Sequence, residues 1–347
     1  MNGAPALPTD RPLHDVDDRT LVGLGRRYEE RLPAYLLASH RALLATAPAE
    51  LVVLLDDVSV ATSRRIAAGR ILSLVGDPRI ATMAPRMRPV PGGEATIGTD
   101  ANDVERVLAE YAGRGVRAEW IAKEIPRHAV SLAAFAIMRY PVTNAEYRRY
   151  LLATDETELP TSWHLGVADF ARANEPVWTV SPHAAQRYAA WLSAQTGRGF
   201  RLPREAEWEF AAAGPDRCEY PWGDQWRPEH ANTAEDGPLT STPVGCYLAG
   251  RSHWGADDMA GNVEEWVADT YRPYPGATPI FDDLWRHDAH YRICRGGSFA
   301  RFGDLARCAR RHGQYPREIY AVGFRLVEDV ASGGLDVGAR QPQSRGR

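Results

Sequence analysis

Between positions 21 and 36 the apolar residues Leu21, Leu24, Tyr28, Leu32, Tyr35 and Leu36 recur at helical spacing, with charged and polar residues between them. A second helical stretch over 58–75 stops at Gly76-Asp77-Pro78-Arg79, and its segment 65–72 looks like the second helix of a HEAT-type repeat. One such unit cannot bury its own apolar face, so residues 19–80 are expected to form a small helical extension, ordinary or HEAT-like, packed on a neighbour. Past Ile80 the period changes. Pro85, Pro89, Pro91 and Gly92-Gly93 punctuate the chain, and the short alternations at 94–98 and 128–137 read as strands. Two helices carry local boundary signals: 144–151 behind the N-cap Thr143, and 182–196 between Ser181 and Gly197. A third, 204–213, follows Pro203. The rest of the chain, to Asp329, is turn-rich with short strands, which predicts one α+β domain over 85–330 with long loops. The polar ends, 1–18 and 331–347, show no periodicity and are expected to be disordered.

Composition narrows the partners. The 347 residues are 44% hydrophobic and 25% charged with a formal net charge of -4, which predicts no general attraction to nucleic acid or an anionic membrane. No run approaches the roughly 20 apolar residues that cross a bilayer, and the N-terminus has no signal-like apolar segment. Cys218, Cys246, Cys294 and Cys308 show no CxxC spacing, so zinc is not expected. Reduced thiols in a cytoplasm are the default, with one disulfide left open.

Several motifs then follow one another in a fixed order. They are Val90-Pro91-Gly92-Gly93-Glu94, Tyr140-Pro141-Val142-Thr143-Asn144, Phe200-Arg201-Leu202-Pro203-Arg204-Glu205-Ala206-Glu207-Trp208, Tyr220-Pro221-Trp222-Gly223, Asp258-Met259-Ala260-Gly261-Asn262-Val263-Glu264-Glu265-Trp266, Arg295-Gly296-Gly297-Ser298-Phe299 and Gly323-Phe324-Arg325-Leu326-Val327. Together they resemble the formylglycine-generating enzyme / sulfatase-modifying factor family, whose fold is a C-type-lectin-like α+β domain. The resemblance implies fold strongly, whereas function must be argued from the site.

The family's copper oxidases carry two cysteines after the Gly-Gly-Ser-aromatic motif. Here those positions hold Arg301 and Ala306, so copper chemistry is not expected. Ser298 matches a serine that the resemblance marks as catalytic. Glu264 stands where the family commonly has Trp, which alters the pocket rim. Related sulfoxide synthases use iron on histidines of a longer N-terminal domain; here an iron site would have to draw on His164, His183, His230, His253 or His312. The resemblance also implies calcium on two oxygen-rich sets. The first set is Asp258, the Gly261 and Val263 carbonyls and Glu265, and the second is Asn232, the Thr233 carbonyl and Asp236. Arginines crowd 295–325, and Arg301 and Arg307 are expected to face the pocket as binders of an anionic ligand, while Arg325 is expected to be structural.

Two functions stay open on these residues. One is an oxidoreductase-type enzyme, with a mononuclear non-heme iron, acting on a substrate other than a sulfatase cysteine. The other is a non-catalytic C-type-lectin-fold module that binds a small molecule or peptide, with the N-terminal helices available to a protein partner.

Overall fold

The computed structural model describes residues 15–25, 28, 30–31, 36–317 and 319–330. The N-terminal region is helical in pieces: α1 (Asp18–Leu21), α2 (Leu36–Ser39), α3 (Pro48–Leu55) and α4 (Thr62–Val75). The continuous helix expected from Leu21 onward ends at once, because Gly23 takes a left-handed φ of 75°. Leu24 follows in irregular chain and Tyr28 is exposed, while Leu32 and Tyr35 lie outside the described residues. Asp17 caps α1, so residues 15–18 of the segment expected to be a disordered tail include a helix start; 1–14 and 331–347 lie outside the described residues. Helix α4 starts at Thr62 rather than 58, since the Asp57 carboxylate holds a turn through Ser59.

This extension closes on its own chain. Leu51, Leu55, Ile66 and Leu72 pack with Cys246 and Tyr247, and Arg65 Nε donates to the Cys246 carbonyl at 2.7 Å. Gly69 allows the approach: a Cβ there would stand 2.6 Å from Pro243 Cβ.

Strands β1 (Met87–Val90), β2 (Gly93–Ile97), β3 (His128–Leu132) and β4 (Phe135–Met138) follow, with α5 (Val104–Glu110) and α6 (Ala118–Ala122) between β2 and β3. The single strand expected at 128–137 is thus two, broken at Ala133-Ala134: β3 pairs with β2, and β4 joins a different sheet. Next come α7 (Asn144–Ala153), α8 (Pro182–Thr196), β5 (Phe200–Arg201) and α9 (Glu205–Ala213). Their ends are set locally. Thr143 and Glu146 form a reciprocal capping box, Ser181 caps α8, and Gly197 ends it at φ 69°. The chain finishes with β6 (Glu264–Thr270), α10 (Asp283–His287), β7 (Arg292–Arg295), β8 (His312–Gly313), β9 (Val322–Gly323) and β10 (Val327–Asp329).

Besides the β2-β3 pair, one four-stranded sheet runs β1-β4-β10-β5 and another β8-β7-β6-β9. Helices α7 and α8 contribute Tyr147, Tyr150, Tyr188 and Trp191 to an aromatic core with Trp266 and Phe324. On the far side Trp208 of α9 packs with Val90, Phe135, Val267 and Ile293. Both cores anchor β6 and β7, so the strands that carry the site are clamped from two directions. All four cysteines are free thiols, and among the described residues no helix is long and apolar enough to cross a membrane.

Candidate functional site

Neighbouring residues on a strand point to opposite faces, and the β8-β7-β6-β9 sheet keeps two ionic systems apart this way. Glu265 and Arg295 are cross-strand partners on one face. Arg295 turns to Glu209 and Glu205 of α9, and Glu265 accepts from Trp208 Nε1 at 2.8 Å. Cys294 and His312 are cross-strand partners on the other face, and Glu264, at the start of β6, meets them diagonally.

Glu264 is wholly buried. Its Oε2 accepts from His312 Nδ1 at 2.6 Å and from the Cys294 thiol at 3.0 Å, and Arg301 Nε lies 3.4 Å from Oε1. Burial alone would raise this carboxyl, but His312, Arg301 and Cys294 outweigh it and hold it well below the usual carboxylate range. The Cys294 thiol is pushed up, first by burial and then by the Glu264 charge, so it keeps its proton. One carboxylate oxygen, one sulfur and one imidazole nitrogen of these residues lie within 4.8 Å of one another. That donor set could hold one metal ion; it is not the pair of soft thiolates that copper(I) chemistry requires.

The cluster borders a cavity of about 90 Å³, lined by Arg301, His312, Tyr320, Lys123, Arg310 and Trp120 among others. The Arg301 guanidinium lies 4.1 Å from the Tyr320 ring centroid, and His312 stacks on the same ring, 11° from parallel. Lys123 Nζ is buried and bonds Asp282 at 2.6 Å; burial, partly offset by Asp282, brings it down to about 8.

Several expected site residues are employed elsewhere. Arg307 does not face the cavity: its guanidinium is buried between Glu124, at 3.0 and 3.1 Å, and Glu219, at 2.6 Å. Ser298 is fully buried and does not line the cavity; its Oγ accepts from Ala300 N–H at 3.4 Å. The Glu265 calcium set already has a cation in it. Arg325 donates to both Glu265 oxygens, at 2.6 and 2.7 Å, and to the carbonyls of Asp257, Asp258, Met138 and Arg139. Asp258 Oδ2 accepts from Gly245 N–H instead, while Gly261 and Val263 remain on the adjoining loop. In the second set the Thr233 carbonyl already accepts from Gly237 N–H at 2.8 Å. Asn232 Oδ1 is buried and accepts no hydrogen bond, and a Cβ on Gly237 would stand 2.4 Å from both it and the Thr233 carbonyl. Asp236 lies exposed on the same loop.

Of the histidines weighed for iron, His312 alone enters the cluster; His164, His183, His230 and His253 do not join it. Sequence reasoning passed over Cys294, whose signal was strand parity: if Arg295 faces the α9 acids, Cys294 faces away. Lys123, Trp120, Arg310 and Tyr320 carried no comparable signal.

The model of the sulfatase-modifying factor enzyme 1-like domain matches residues 75–330. The hercynine oxygenase of Mycolicibacterium thermoresistibile is 34% identical over 245 residues, 60% of this chain and 53% of the relative. The formylglycine-generating enzyme of Streptomyces coelicolor is 30% identical over 300 residues, 70% of this chain and 88% of the relative. Among solved structures, PvdO from Pseudomonas aeruginosa superposes with a TM-score of 0.56 at 28% identity, covering 72% of this chain and 96% of that one. The chain spans about half the length of the hercynine oxygenase it matches.

Proposed function

This chain belongs to the sulfatase-modifying factor enzyme 1-like family, and from that premise we propose that it is an oxygen-dependent oxidoreductase acting on a substrate other than a sulfatase cysteine, with one iron ion held by Glu264, Cys294 and His312. The observation that carries the reading is the meeting of three different donors, from three adjacent strands, at the edge of a cavity. Similarity to a protein named for oxygenation supports it. Iron there would supply one-electron and dioxygen chemistry beyond what these side chains can do alone. The chain's own residues provide the frame: Tyr320 holds the His312 ring, Arg301 balances the Glu264 charge, and Trp120 and Leu284 keep part of the cavity wall apolar.

The test is metal analysis of the purified full-length protein, with Cys294→Ser and His312→Ala beside it. Near-stoichiometric iron in the wild type, lost from both variants, is the expected result. A wild type without redox metal sinks the proposal.

One observation favours a second reading, a non-catalytic binding module. Glu264 is already matched by Arg301 and by donors from His312 and Cys294, so the cluster is satisfied without an ion. A metal-free protein that still binds a ligand in the cavity would select it.

Calcium is a separate proposal, confined to Asn232, the Thr233 carbonyl and Asp236. Its support is the unused Asn232 Oδ1 and the two oxygens that converge beside Gly237. An ion there would order the loop and take no part in chemistry.

A further inference from the structure

A guanidinium carries five N–H donors in a fixed fork. Arg301 uses one of them: Nε faces Glu264, Nη2 is buried without a hydrogen-bond partner, and Nη1 has no acceptor among the described residues. The side chain is nonetheless 88% removed from solvent, being 12% exposed. Leaving a permanent charge buried with most of its donors empty is costly, and a fold keeps such an arrangement where an incoming group fills it. The Tyr320 ring, with its centroid 4.1 Å from the guanidinium carbon, helps to hold the group in position.

A second guanidinium on the same cavity repeats the pattern. Arg310 donates through Nη1 to the carbonyls of Arg311 and Trp120, but its buried Nε has no hydrogen bond, and the nearest carboxylates, on Asp304 and Glu124, stand 3.8 and 4.0 Å away. Arg114, Lys123, Arg301, Arg310 and Arg317 line the cavity with Asp283 and Asp304; Lys123 is paired with Asp282, Arg317 with Asp18 and Arg301 with Glu264, so what the cavity offers an anion is open N–H donors on Arg301 and Arg310.

We propose that the cavity is the binding site of a small-molecule carboxylate, whose two oxygens accept from the unengaged Nη groups of Arg301, with Arg310 adding a second positive charge. A planar carboxylate matches the fork in shape and charge, and a cavity of about 90 Å³ admits a head group of that size with its chain along Trp120, Leu284 and Tyr315. The inference deepens the reading of this cavity as a functional site by naming the substrate class. It does not require the metal, since Arg301 meets the cluster only through Glu264.

Calorimetry on the full-length protein, as purified and again after dialysis against a chelator, tests this with acetate, benzoate and glutamate. Methyl benzoate serves as the neutral control, and a tripeptide with a free or amidated C-terminus as the peptide arm. The expected result is binding of at least one small acid with a dissociation constant of about 1 mM or tighter. It should persist in chelator, be absent for the ester, and fall at least about tenfold in Arg301→Gln. Arg301→Lys guards against misfolding, because it keeps the charge that balances Glu264 while losing the fork; about a tenfold loss is expected there too. Thermal melts establish that each variant is folded. If no acid binds, if the lysine variant binds as tightly as wild type, or if only the peptide acid binds, the assignment is wrong. Because the titration is repeated without metal, its failure and a failure to find iron are separate results.

Discussion

Arg301 Nε lies 3.4 Å from Glu264 Oε1, so two of the positions where this chain departs from the residues common in its family, a cysteine and a tryptophan, meet in space although they are 37 residues apart in sequence. A guanidinium in place of a thiolate brings a buried positive charge, and the acid in place of an indole answers it. Removing one partner strands the other, so Glu264→Gln and Arg301→Met should each destabilise by about 3 kcal/mol in denaturant unfolding. The double variant should lose at least about 1 kcal/mol less than the sum of the two. Additive losses would mean that the two residues are not coupled.

Asp258 gives a pH signature. Burial, reinforced by Asp257, lifts its carboxyl from 3.8 to about 7, against a hydrogen bond from Gly245 N–H and the charge of Arg325. With the folded value above the unfolded one, its contribution is fully present below pH 4 and is lost as pH rises through 7. Asp258→Asn keeps an acceptor for Gly245, suits the left-handed φ of 56°, and removes the burial of charge. It should therefore stabilise by on the order of 3 kcal/mol at pH 8 and by little at pH 4, read from denaturation midpoints. An equal effect at both pH values would contradict the assignment.

Calcium should act through the Asn232 loop. Free calcium at a hundred times its dissociation constant adds roughly 2.7 kcal/mol to a protein that binds it only when folded. A chelator should then lower the melting temperature, Asn232→Ala should abolish that response, and Glu265→Gln should leave it intact because Arg325 already fills the Glu265 oxygens. Identical melts of the wild type with and without chelator would end the calcium proposal.

The protein should not turn the cysteine of a sulfatase-type peptide into formylglycine. Arg301 and Ala306 stand at the copper positions, and neither supplies a thiolate. Mass spectrometry after incubation with copper and oxygen should return the peptide unchanged; a copper-dependent loss of the thiol mass would refute this.

What the sequence determined by itself is what neighbouring residues decide among themselves. Thr143 with Glu146, and Ser181, Pro182 and Gly197, place the ends of α7 and α8 through bonds spanning a few residues, so the helices are legible without the rest of the chain. The ordered motifs likewise carry the family and its α+β fold. Local signals were also there to be misread, as at Gly23, where one left-handed residue ends a helix that the apolar spacing extends. The assignment of charges belonged to the tertiary structure. Arg301, Arg307 and Arg325 are chemically alike in the sequence, yet one borders the cavity, one is clamped by Glu124 and Glu219, and one takes the cation's place beside Glu265. Glu264 and Glu265 are adjacent in sequence and serve different sites. Strand parity turns them to opposite faces, and which face becomes core or cleft depends on the strands and helices that pack there, which are distant along the chain.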